Sequence, residues 1–221
     1  MLRIALDGPS GAGKSSLAKD IARHYGIVYL DTGALYRTVG LAAKLRDIDP
    51  HSEEKVAEML PNITVDVRIE DGEQQVYLDG ERVGDRIRTP EASMYASAVS
   101  ALPCVREFLY DTQRNFAKSN SVIMDGRDIG TVILPDADVK IYLVASDEVR
   151  AERRRLELEA KGISTTLDEV LADMKRRDAA DSGRKIAPAV KADDAVLLDN
   201  SKLNSVETLK AAIKIIESKV K

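Results

Sequence analysis

The feature that most constrains the fold of this 221-residue chain is a glycine-rich segment close to its N-terminus. The segment reads Gly8-Pro9-Ser10-Gly11-Ala12-Gly13-Lys14-Ser15-Ser16 and fits the pattern G-x-x-x-x-G-K-S/T. A short apolar run at residues 4–6 precedes it, and residues 14–25 carry apolar side chains at helical spacing. Because a strand that leads through this pattern into a helix is the context of a phosphate-binding loop, the sequence predicts such a loop here. A glycine-rich turn without a ligand is the alternative.

The predicted loop gives each of its residue types a chemical task. Glycines let backbone N–H groups converge on a phosphate, and the N-terminus of the following helix adds the positive end of its dipole. Lys14 would bridge the β- and γ-phosphates of a nucleoside triphosphate, and Ser15 would bind Mg²⁺. Asp125, which follows another apolar run, is a second candidate for the metal, acting through a water molecule. We therefore expect a nucleoside triphosphate site with Mg²⁺ as cofactor.

Five short apolar runs predict the strands of a parallel sheet. Besides residues 4–6, they are residues 27–30, 122–124, 139–144 and 195–198. Helical patterns follow several of them, as in βα units. Four of the runs lead into an acidic residue: Asp7, Asp31, Asp125 and Asp199. Since ligands bind at the carboxyl edge of an open parallel sheet, these residues mark the expected site. The predicted fold class is α/β, a P-loop NTPase core with a five-stranded parallel sheet flanked by helices.

The long stretch between the second and third runs contains a different pattern. Residues 63–69 alternate between apolar and polar side chains, and Asp71-Gly72 marks a turn. Residues 75–78 follow, before a second turn at Asp79-Gly80. This pattern predicts a small antiparallel meander inserted into the α/β core.

Two further helices have recognisable boundaries. Pro90 and Pro103 bracket a helix that is predicted at residues 91–102. Ser146 is a predicted N-cap for a helix over residues 146–159, because acidic residues follow it in the first turn.

The C-terminal third is predicted to hold a helix, a mobile loop and a last helix. Thr166 and Glu169 form a capping-box pattern, so a helix is expected to begin at Thr165 or Thr166 and to continue through Met174. Residues 178–191 show no periodicity and are predicted to form the loop. The last helix, residues 204–219, carries an apolar stripe that we expect to pack in the core: Val206, Leu209, Ile213, Ile216 and Val220.

Composition narrows the class of function. The 33 basic and 37 acidic side chains leave a net charge of −4, which argues against a protein that coats a nucleic acid polymer. The single cysteine, Cys104, excludes a disulfide framework, and with His24 and His51 as the two histidines a His/Cys metal site is not expected. We expect Cys104 to pack as a small inert residue and both histidines to be structural or at the surface. No signal peptide or membrane-spanning segment is predicted, so we expect a cytoplasmic protein.

Two arginines in segments that leave predicted strand ends are candidates for binding a phosphate. Arg37 ends the segment Asp31-Thr32-Gly33-Ala34-Leu35-Tyr36-Arg37, one helical turn beyond Gly33. Arg127 follows Asp125-Gly126 at another strand end. A guanidinium fork matches the geometry of phosphate oxygens. For each of these arginines, a surface salt bridge is the alternative.

Further arginines lie in and before the predicted mobile loop. Arg177 and Arg184 have a spacing that fits a lid closing on a phosphate in transfer, where it would add positive charge and exclude water. Residues 153–155 are three consecutive arginines on the preceding helix, and for them a solvated face is an equally good interpretation.

The scarcity of histidine agrees with one reaction in particular. An acceptor that is itself a phosphate is already anionic, so it needs no general base, and catalysis depends on positioning and charge neutralisation. A GTPase would need an N-K-x-D element, which this sequence lacks. A motor ATPase usually carries a hydrolytic glutamate after its second acidic strand end, where this chain has Gly126-Arg127-Asp128. The pattern favours a kinase with a second anionic ligand.

The chain resembles the bacterial cytidylate (CMP/dCMP) kinases, a family of P-loop nucleoside monophosphate kinases, over nearly its whole length. Besides the glycine-rich loop and residues 31–37, the resemblance rests on Ile87-Arg88-Thr89-Pro90-Glu91, Val105-Arg106-Glu107, Asp125-Gly126-Arg127-Asp128-Ile129-Gly130-Thr131, Arg177-Asp178-Ala179-Ala180-Asp181-Ser182-Gly183-Arg184 and Ala187-Pro188. It implies one monomeric domain over residues 1–221. The implied parts are a core at 1–34, 104–150 and 192–221, a monophosphate-binding insert at 35–103 and a helical lid at 151–191.

The resemblance also implies roles for individual residues. The glycine-rich loop, Gly8 to Ser16, would bind ATP, and the catalytic residues would be Lys14, Arg127, Arg177 and Arg184. The acceptor phosphate would be held by Arg37, Arg127 and Arg184. The cytosine base would be recognised by Ser97, Arg106 and Asp128. The pentose would contact Arg177 and Asp181, and Thr32 would complete the CMP-binding set.

The expected reaction is therefore transfer of the γ-phosphoryl group of ATP to CMP or dCMP. A P-loop kinase acting on UMP or on another small acceptor is the second interpretation. A nucleotide-binding regulator that has lost turnover is the third.

Overall fold

The computed structural model describes residues 1–220, and its elements are numbered in chain order. The strands are β1 Arg3–Asp7, β2 Val28–Asp31, β3 Val65–Glu70, β4 Glu73–Leu78, β5 Glu81–Arg82, β6 Val122–Gly126, β7 Val139–Val144 and β8 Val196–Asp199. The helices are α1 Lys14–Tyr25, α2 Thr32–Leu45, α3 Glu53–Met59, α4 Pro90–Val99, α5 Pro103–Ser119, α6 Asp147–Ala160, α7 Leu167–Ser182 and α8 Ser205–Lys219. There are also 3₁₀ turns at Leu60–Asn62 and Gly84–Ile87 and a π-helical turn at Ile129–Ile133.

Five strands form a parallel sheet in the order β2-β6-β1-β7-β8, which confirms the predicted α/β core. Each strand begins and ends within two residues of the apolar run that predicted it. β1 is the central strand, with Leu6 opposite Asp125 of β6 and opposite Ile141 of β7. Leu6 and its neighbour Ala5 are fully buried, as expected for a sheet that is covered on both faces.

The chain divides into two compact units. The first consists of Met1–Ile27 together with the chain from Val122 onward, and it holds β1, α1 and the elements from β6 to α8. The second is Val28–Ser121, and it holds the elements from β2 to α5.

The second unit contains the antiparallel meander that the sequence predicts. β3, β4 and β5 pair in order, and the β3–β4 register sets Val65 opposite Leu78. Asp71-Gly72 and Asp79-Gly80 form the turns, and all four residues have a positive φ, between 53° and 85°. Two consecutive residues with positive φ fit the tight turns that join twisted antiparallel strands, which is why Asp-Gly pairs occur there.

A close helix contact shapes the core of the second unit. Gly40 of α2 lies against α4, where an added Cβ would stand 2.8 Å from the Cβ of Tyr95. The absence of a side chain at Gly40 therefore lets the two helices approach. The apolar side of α2, including Leu35 and Val39, is fully buried in the same cluster.

Polar caps fix where several helices begin. Ser146 accepts a hydrogen bond from the N–H of Val149 at the start of α6, as predicted. Thr166 and Glu169 make both halves of a capping box at the start of α7, which confirms that prediction as well. The predicted strand-end residue Asp31 caps α2 by accepting from the N–H of Ala34.

The predicted mobile loop at residues 178–191 is wrong in its first part. α7 continues to Ser182, so Asp178 and Asp181 are helical and the loop begins at Gly183. This last part of the helix buries little apolar surface and is instead held by ion pairs of Asp178 and Asp181 with arginines of distant segments. Apolar periodicity cannot report such a stabilisation.

Two other helices differ from their predicted extent or packing. α4 spans Pro90–Val99, so Pro90 is the first helical residue and residues 100–102 are not helical. In α8 the predicted core stripe is wrong at both ends, because Val206 is 58% exposed and Val220 is 48% exposed. Its buried residues are Thr208, Ala212 and Ile216.

Candidate active site

The glycine-rich loop joins β1 to α1 in the first unit. Gly8 has a φ of +149°, and an added Cβ would stand 2.1 Å from the carbonyl oxygen of Leu143 on β7. Gly13 also has a positive φ and forms the N-cap of α1. No side chain fits at Gly8, and the loop ends on a helix N-terminus, which is the arrangement that binds phosphate.

Lys14 is buried at the first position of α1, 6% exposed. Its Nζ donates to the carbonyl oxygen of Pro9 at 2.7 Å. Burial, followed by the charge of Arg127, lowers the pKa of Lys14 to about 7, while Asp125 and Asp7 oppose the shift. An anionic phosphate beside this ammonium group would raise the pKa again and favour the charged form.

Ser15 and Asp125, the predicted metal pair, lie in hydrogen-bond contact. The hydroxyl of Ser15 donates to Oδ2 of Asp125 at 2.8 Å, and Asp125 is buried near the end of β6. Mg²⁺ prefers such oxygen ligands and usually takes one or two from the protein together with substrate phosphates and water. These two residues fit that role. Within residues 1–220, no group of three or more His, Cys, Asp or Glu side chains could hold a metal ion.

Arg127 and Arg184 converge on one carboxylate. Nε of Arg127 donates to Oδ2 of Asp181 at 2.9 Å, and Nη2 of Arg184 pairs with the other oxygen, Oδ1. Burial acts to raise the pKa of Asp181, but the charges of the two arginines outweigh it and hold the pKa below its ordinary value. The structure therefore brings together three predicted site residues, two arginines and the carboxylate that both of them bind.

Arg177 and Asp128 are two further predicted site residues of the first unit. Arg177 lies on α7, with its Nη1 3.9 Å from Oδ2 of Asp173. Burial lowers the pKa of the Arg177 guanidinium, and the negative charge of Asp173 opposes this shift. Asp128 is 4% exposed and directly precedes the π-helical turn.

A buried arginine that the sequence did not single out holds the glycine-rich loop. Arg150 of α6 donates from Nη1 to the carbonyl oxygen of Ser10 at 2.7 Å and to Oδ2 of Asp178 at 2.5 Å. The other oxygen of Asp178 accepts from the N–H of Ser10 at 3.0 Å. Both backbone polar groups of Ser10 are thus bound by α6 and α7. The sequence offers no signal for this, since Arg150 stands 140 residues away and also pairs locally with Asp147.

A second cross-connection corrects the interpretation of residues 153–155. Arg153 donates to Oδ1 and to the carbonyl oxygen of Asn200, at 3.1 Å each, and Asn200 donates to the carbonyl oxygen of Ala12. A solvated face is therefore wrong for Arg153. Arg154 and Arg155 are half-buried and pair with glutamates of their own helix.

The second unit holds Thr32 and Arg37 at the start of α2. Thr32 is 3% exposed, and Nη2 of Arg37 pairs with Oδ2 of Asp31 at 2.6 Å. The backbone of Asp31 is held by Gln74 of β4, whose side chain accepts from its N–H at 2.6 Å and donates to its carbonyl oxygen at 3.2 Å. Gln74 is a further residue that the sequence did not single out.

Arg106 and Ser97 are the remaining predicted site residues of the second unit. Arg106, on α5, is 1% exposed and donates from Nη1 to the carbonyl oxygen of Ser100 at 3.1 Å. Its guanidinium lies 5.5 Å from the ring centre of Tyr36. Ser97 is half-buried on α4, and its carbonyl oxygen accepts from the hydroxyl of Ser100.

The histidines and the cysteine lie outside these clusters. His24 is exposed and contacts the ring of Tyr25 edge-on, and His51 is exposed as well. Cys104 packs against the apolar core of the second unit, where burial raises the pKa of its thiol. Over residues 1–220, no helix has the length and apolar character that crossing a membrane requires.

A parallel sheet whose central strand runs into a glycine-rich loop, with lysine and serine at the start of the next helix, defines the chain as a P-loop nucleotide-binding protein. The sequence model of the cytidylate kinase family matches residues 4–218, so the chain belongs to that family. A cytidylate kinase of Caldicellulosiruptor bescii is 45% identical over 220 residues, which are 100% of this chain and 97% of that protein. A cytidylate kinase of Fervidobacterium nodosum is 46% identical over 217 residues, 98% of this chain and 97% of that protein.

The fold has a counterpart among solved structures. An uncharacterized protein from Eubacterium ventriosum matches with a TM-score of 0.52 and 15% identity, over 99% of each chain. This likeness concerns the fold alone.

Proposed function

We propose that the protein transfers the γ-phosphoryl group of ATP to CMP or dCMP, giving ADP and CDP or dCDP. The observation that carries the proposal is the pairing of Arg127 and Arg184 on one carboxylate, in the unit that also holds the glycine-rich loop. Two guanidinium groups that converge on a carboxylate can converge on a phosphate in the same way, because both anions accept parallel N–H bonds. Membership of the cytidylate kinase family supports the choice of acceptor.

The donor is assigned to the loop from Gly8 to Ser16, with Lys14 at the β- and γ-phosphates. Ser15 would hold Mg²⁺ directly, and Asp125 would hold it through water, consistent with their mutual contact. The metal, when bound, supplies charge neutralisation at the phosphates. The donor phosphates would favour the charged form of Lys14, which then supplies positive charge from a buried position where an ammonium group acts strongly on phosphate oxygens.

The acceptor phosphate is assigned to Arg37, Arg127 and Arg184, and the pentose to Arg177 and Asp181. An ionised oxygen of the acceptor phosphate attacks the γ-phosphorus while the bond from that phosphorus to the β,γ-bridging oxygen breaks, leaving ADP. No proton has to be removed from the acceptor, so the arginines orient the two nucleotides and neutralise charge.

Recognition of cytosine is assigned to Ser97, Arg106 and Asp128, with Thr32 in the same nucleotide-binding set. Cytosine presents an N4 amino donor where uracil presents an O4 acceptor. A carboxylate such as Asp128 would attract the N4 donor of cytosine and repel the O4 acceptor of uracil. With uracil bound, the carboxylate oxygen would also lose its hydrogen-bond partner, which adds to the discrimination. This favours CMP and dCMP over UMP.

The test is ADP release measured by a coupled assay, with CMP, dCMP, UMP, AMP and shikimate as separate acceptors. We expect stimulation by CMP and dCMP that exceeds stimulation by UMP. Stimulation by UMP or shikimate alone would favour a kinase of another acceptor. ATP binding without stimulation by any acceptor would favour a nucleotide-binding regulator.

Three other features remain predictions. They are the division into core, insert and lid, the monomeric state with no nucleic acid polymer as partner, and the cytoplasmic location. Light scattering on a size-exclusion column, without and with CMP and an ATP analogue, tests the monomer.

A further inference from the structure

Asp7 is a buried carboxylate that has no role in the phosphoryl transfer proposed above. It ends β1, immediately before Gly8, and is 5% exposed. Its Oδ1 accepts from the N–H of Ile129 at 2.8 Å, and its Oδ2 accepts from the N–H of Gly130 at 2.7 Å. Each carboxylate oxygen is therefore used by one of two successive backbone donors.

The sheet fixes the position of this carboxylate. Asp7 lies opposite Gly126 of β6 and opposite Tyr142 of β7, so its backbone is held on both sides. The next residue, Gly8, lies directly against the backbone of Leu143. Because the sheet fixes the backbone of Asp7, its carboxylate has a defined position, and the backbone of residues 129–130 is positioned by binding to it.

The bound segment begins directly after Arg127 and Asp128. Ile129 and Gly130 open the π-helical turn Ile129–Ile133, and the first N–H groups of a helical turn have no partner within it. Asp7 supplies that partner. A single π turn is an unusual conformation that often occurs at functional sites. Gly130 approaches closely enough that an added Cβ would stand 3.3 Å from Oδ2 of Asp7.

We propose that Asp7 is a positioning residue that sets the backbone after Arg127 and Asp128, and through it the recognition of the acceptor, from the strand that also carries the phosphate loop. This inference rests on the proposed function, since it concerns how Asp128 recognises the acceptor base. It adds to that function a dependence of base selectivity on a residue that contacts neither nucleotide.

The chemistry of the site requires a carboxylate in this role. Two backbone donors need two acceptor oxygens, and asparagine would offer one oxygen and one amino group. That amino group would face an N–H donor, so the turn would have to move. Burial raises the pKa of Asp7 to about 6, opposed by the hydrogen bonds from Gly130 and Ile129 and by Lys14. The buried charge has a cost, and its retention fits a positional role.

The test compares Asp7→Asn with Asp138→Asn. Asp138 is a matched control because its carboxylate accepts from the backbone N–H of Arg3, at the opposite end of β1. For Asp7→Asn we expect the ratio of kcat/KM for CMP to that for UMP to fall about tenfold, as for loss of one buried hydrogen bond to a charged group. The KM for ATP should change by less than about threefold, and Asp138→Asn should leave the ratio unchanged.

A purely structural role would lower stability or overall activity but leave the CMP-to-UMP ratio alone, and that result would overturn the proposal. If Asp7→Asn does not fold, Gly130→Ala decides, because its methyl group disturbs the same contact while Asp7 stays in place. We expect its ratio to fall about threefold, and an unchanged ratio would overturn the proposal equally. Wild-type protein that fails to release ADP with CMP would instead contradict the proposed function.

Discussion

The charged side chains of the two units are held in different ways. In the first unit, three contacts around the phosphate loop and Arg127 join distant parts of the chain: Ser15 with Asp125 across 110 residues, Arg127 with Asp181 across 54, and Arg150 with Ser10 across 140. They stand beside local pairs such as Arg184 with Asp181. In the second unit, Arg37 pairs with Asp31 and Arg106 bonds Ser100, in each case across six residues.

This difference separates two ways of organising a site. Long-range contacts exist only when the whole first unit is folded, so its phosphate-binding groups are positioned by the tertiary structure. The hydrogen bonds of Arg37 and Arg106 described above form at a helix start and at a helix connection. Long-range contacts add to them, since Gln74 holds the backbone of Asp31 and the guanidinium of Arg106 lies 5.5 Å from the ring centre of Tyr36. We therefore expect substitutions at the first unit's cluster to cost catalysis most, and those in the second unit to have smaller effects.

The largest effect is expected for Lys14→Met. Removing a buried positive charge at the transferring phosphate should lower kcat/KM roughly 1,000-fold, because that charge acts most strongly on the transition state. The coupled ADP-release assay measures it. Lys19→Met, on the exposed face of the same helix, is the control and should keep wild-type activity. A loss below tenfold would contradict the comparison.

Arg184→Ala is expected to lower kcat about 100-fold while the KM for ATP changes little. The reason is that the guanidinium stabilises the charge that develops in the transition state more than it stabilises bound ATP in the ground state. Steady-state kinetics with ATP varied at saturating CMP separates the two parameters. Arg176→Ala, an exposed arginine of α7, is the matched control. A larger change in KM than in kcat would make Arg184 a binding residue.

Asp128→Asn is expected to narrow the preference for CMP over UMP about tenfold, because a neutral amide no longer discriminates a donor from an acceptor. Separate kcat/KM values for CMP and UMP measure it. Asp138→Asn again serves as the control. An unchanged ratio would remove Asp128 from base recognition.

Asp7 provides a pH-dependent test of the first unit. Its pKa is about 6 in the folded protein and near 3.8 when unfolded, so between these values the folded state holds a proton that the unfolded state releases. The contribution of Asp7 to stability should therefore fall as pH rises from 4 to 6, by about 3 kcal/mol, and level off above. The difference in unfolding free energy between wild type and Asp7→Asn, measured by urea denaturation across this range, tests it. If this difference in unfolding free energy does not change between pH 4 and pH 6, the pKa of Asp7 is not raised in the folded protein.

The smallest effect is expected in the second unit, for Gln74→Ala. Loss of two hydrogen bonds to the backbone of Asp31 should lower the free energy of unfolding by about 1 kcal/mol and raise the KM for CMP a few-fold. Gln75→Ala, the next residue on β4, is the control. A loss of activity as large as that of Lys14→Met would erase the contrast between the units.

Local signals in the sequence were sufficient for much of the fold. The glycine-rich loop, the five strands of the parallel sheet and the Asp-Gly turns follow from patterns within about ten residues, and the structure confirms them. The Thr166–Glu169 capping box is equally local.

What escaped prediction depends on contacts between distant segments. Three of these contacts each span at least 28 residues: Arg150 with Asp178, which helps to extend α7 to Ser182, Arg153 with Asn200, and Asp7 with Ile129. The exposed position of Val206 has a related cause, since periodicity identifies an apolar stripe but not how far the neighbouring sheet covers it.

The hydrogen bonds that α6 and α7 make with Ser10 limit the exchange of the phosphate loop between proteins. Arg150 binds the carbonyl oxygen of Ser10, and Asp178 accepts from its N–H. The glycine-rich segment therefore depends on contacts from α6 and α7 and cannot be transferred to another protein by itself. Met174 adds to this, since an added Cβ at Gly11 would stand 2.7 Å from its terminal methyl group. A chimaera that kept residues 8–16 but replaced residues 147–182 would inherit the pattern without its supports. Grafts of this kind need to move the loop together with these two helices.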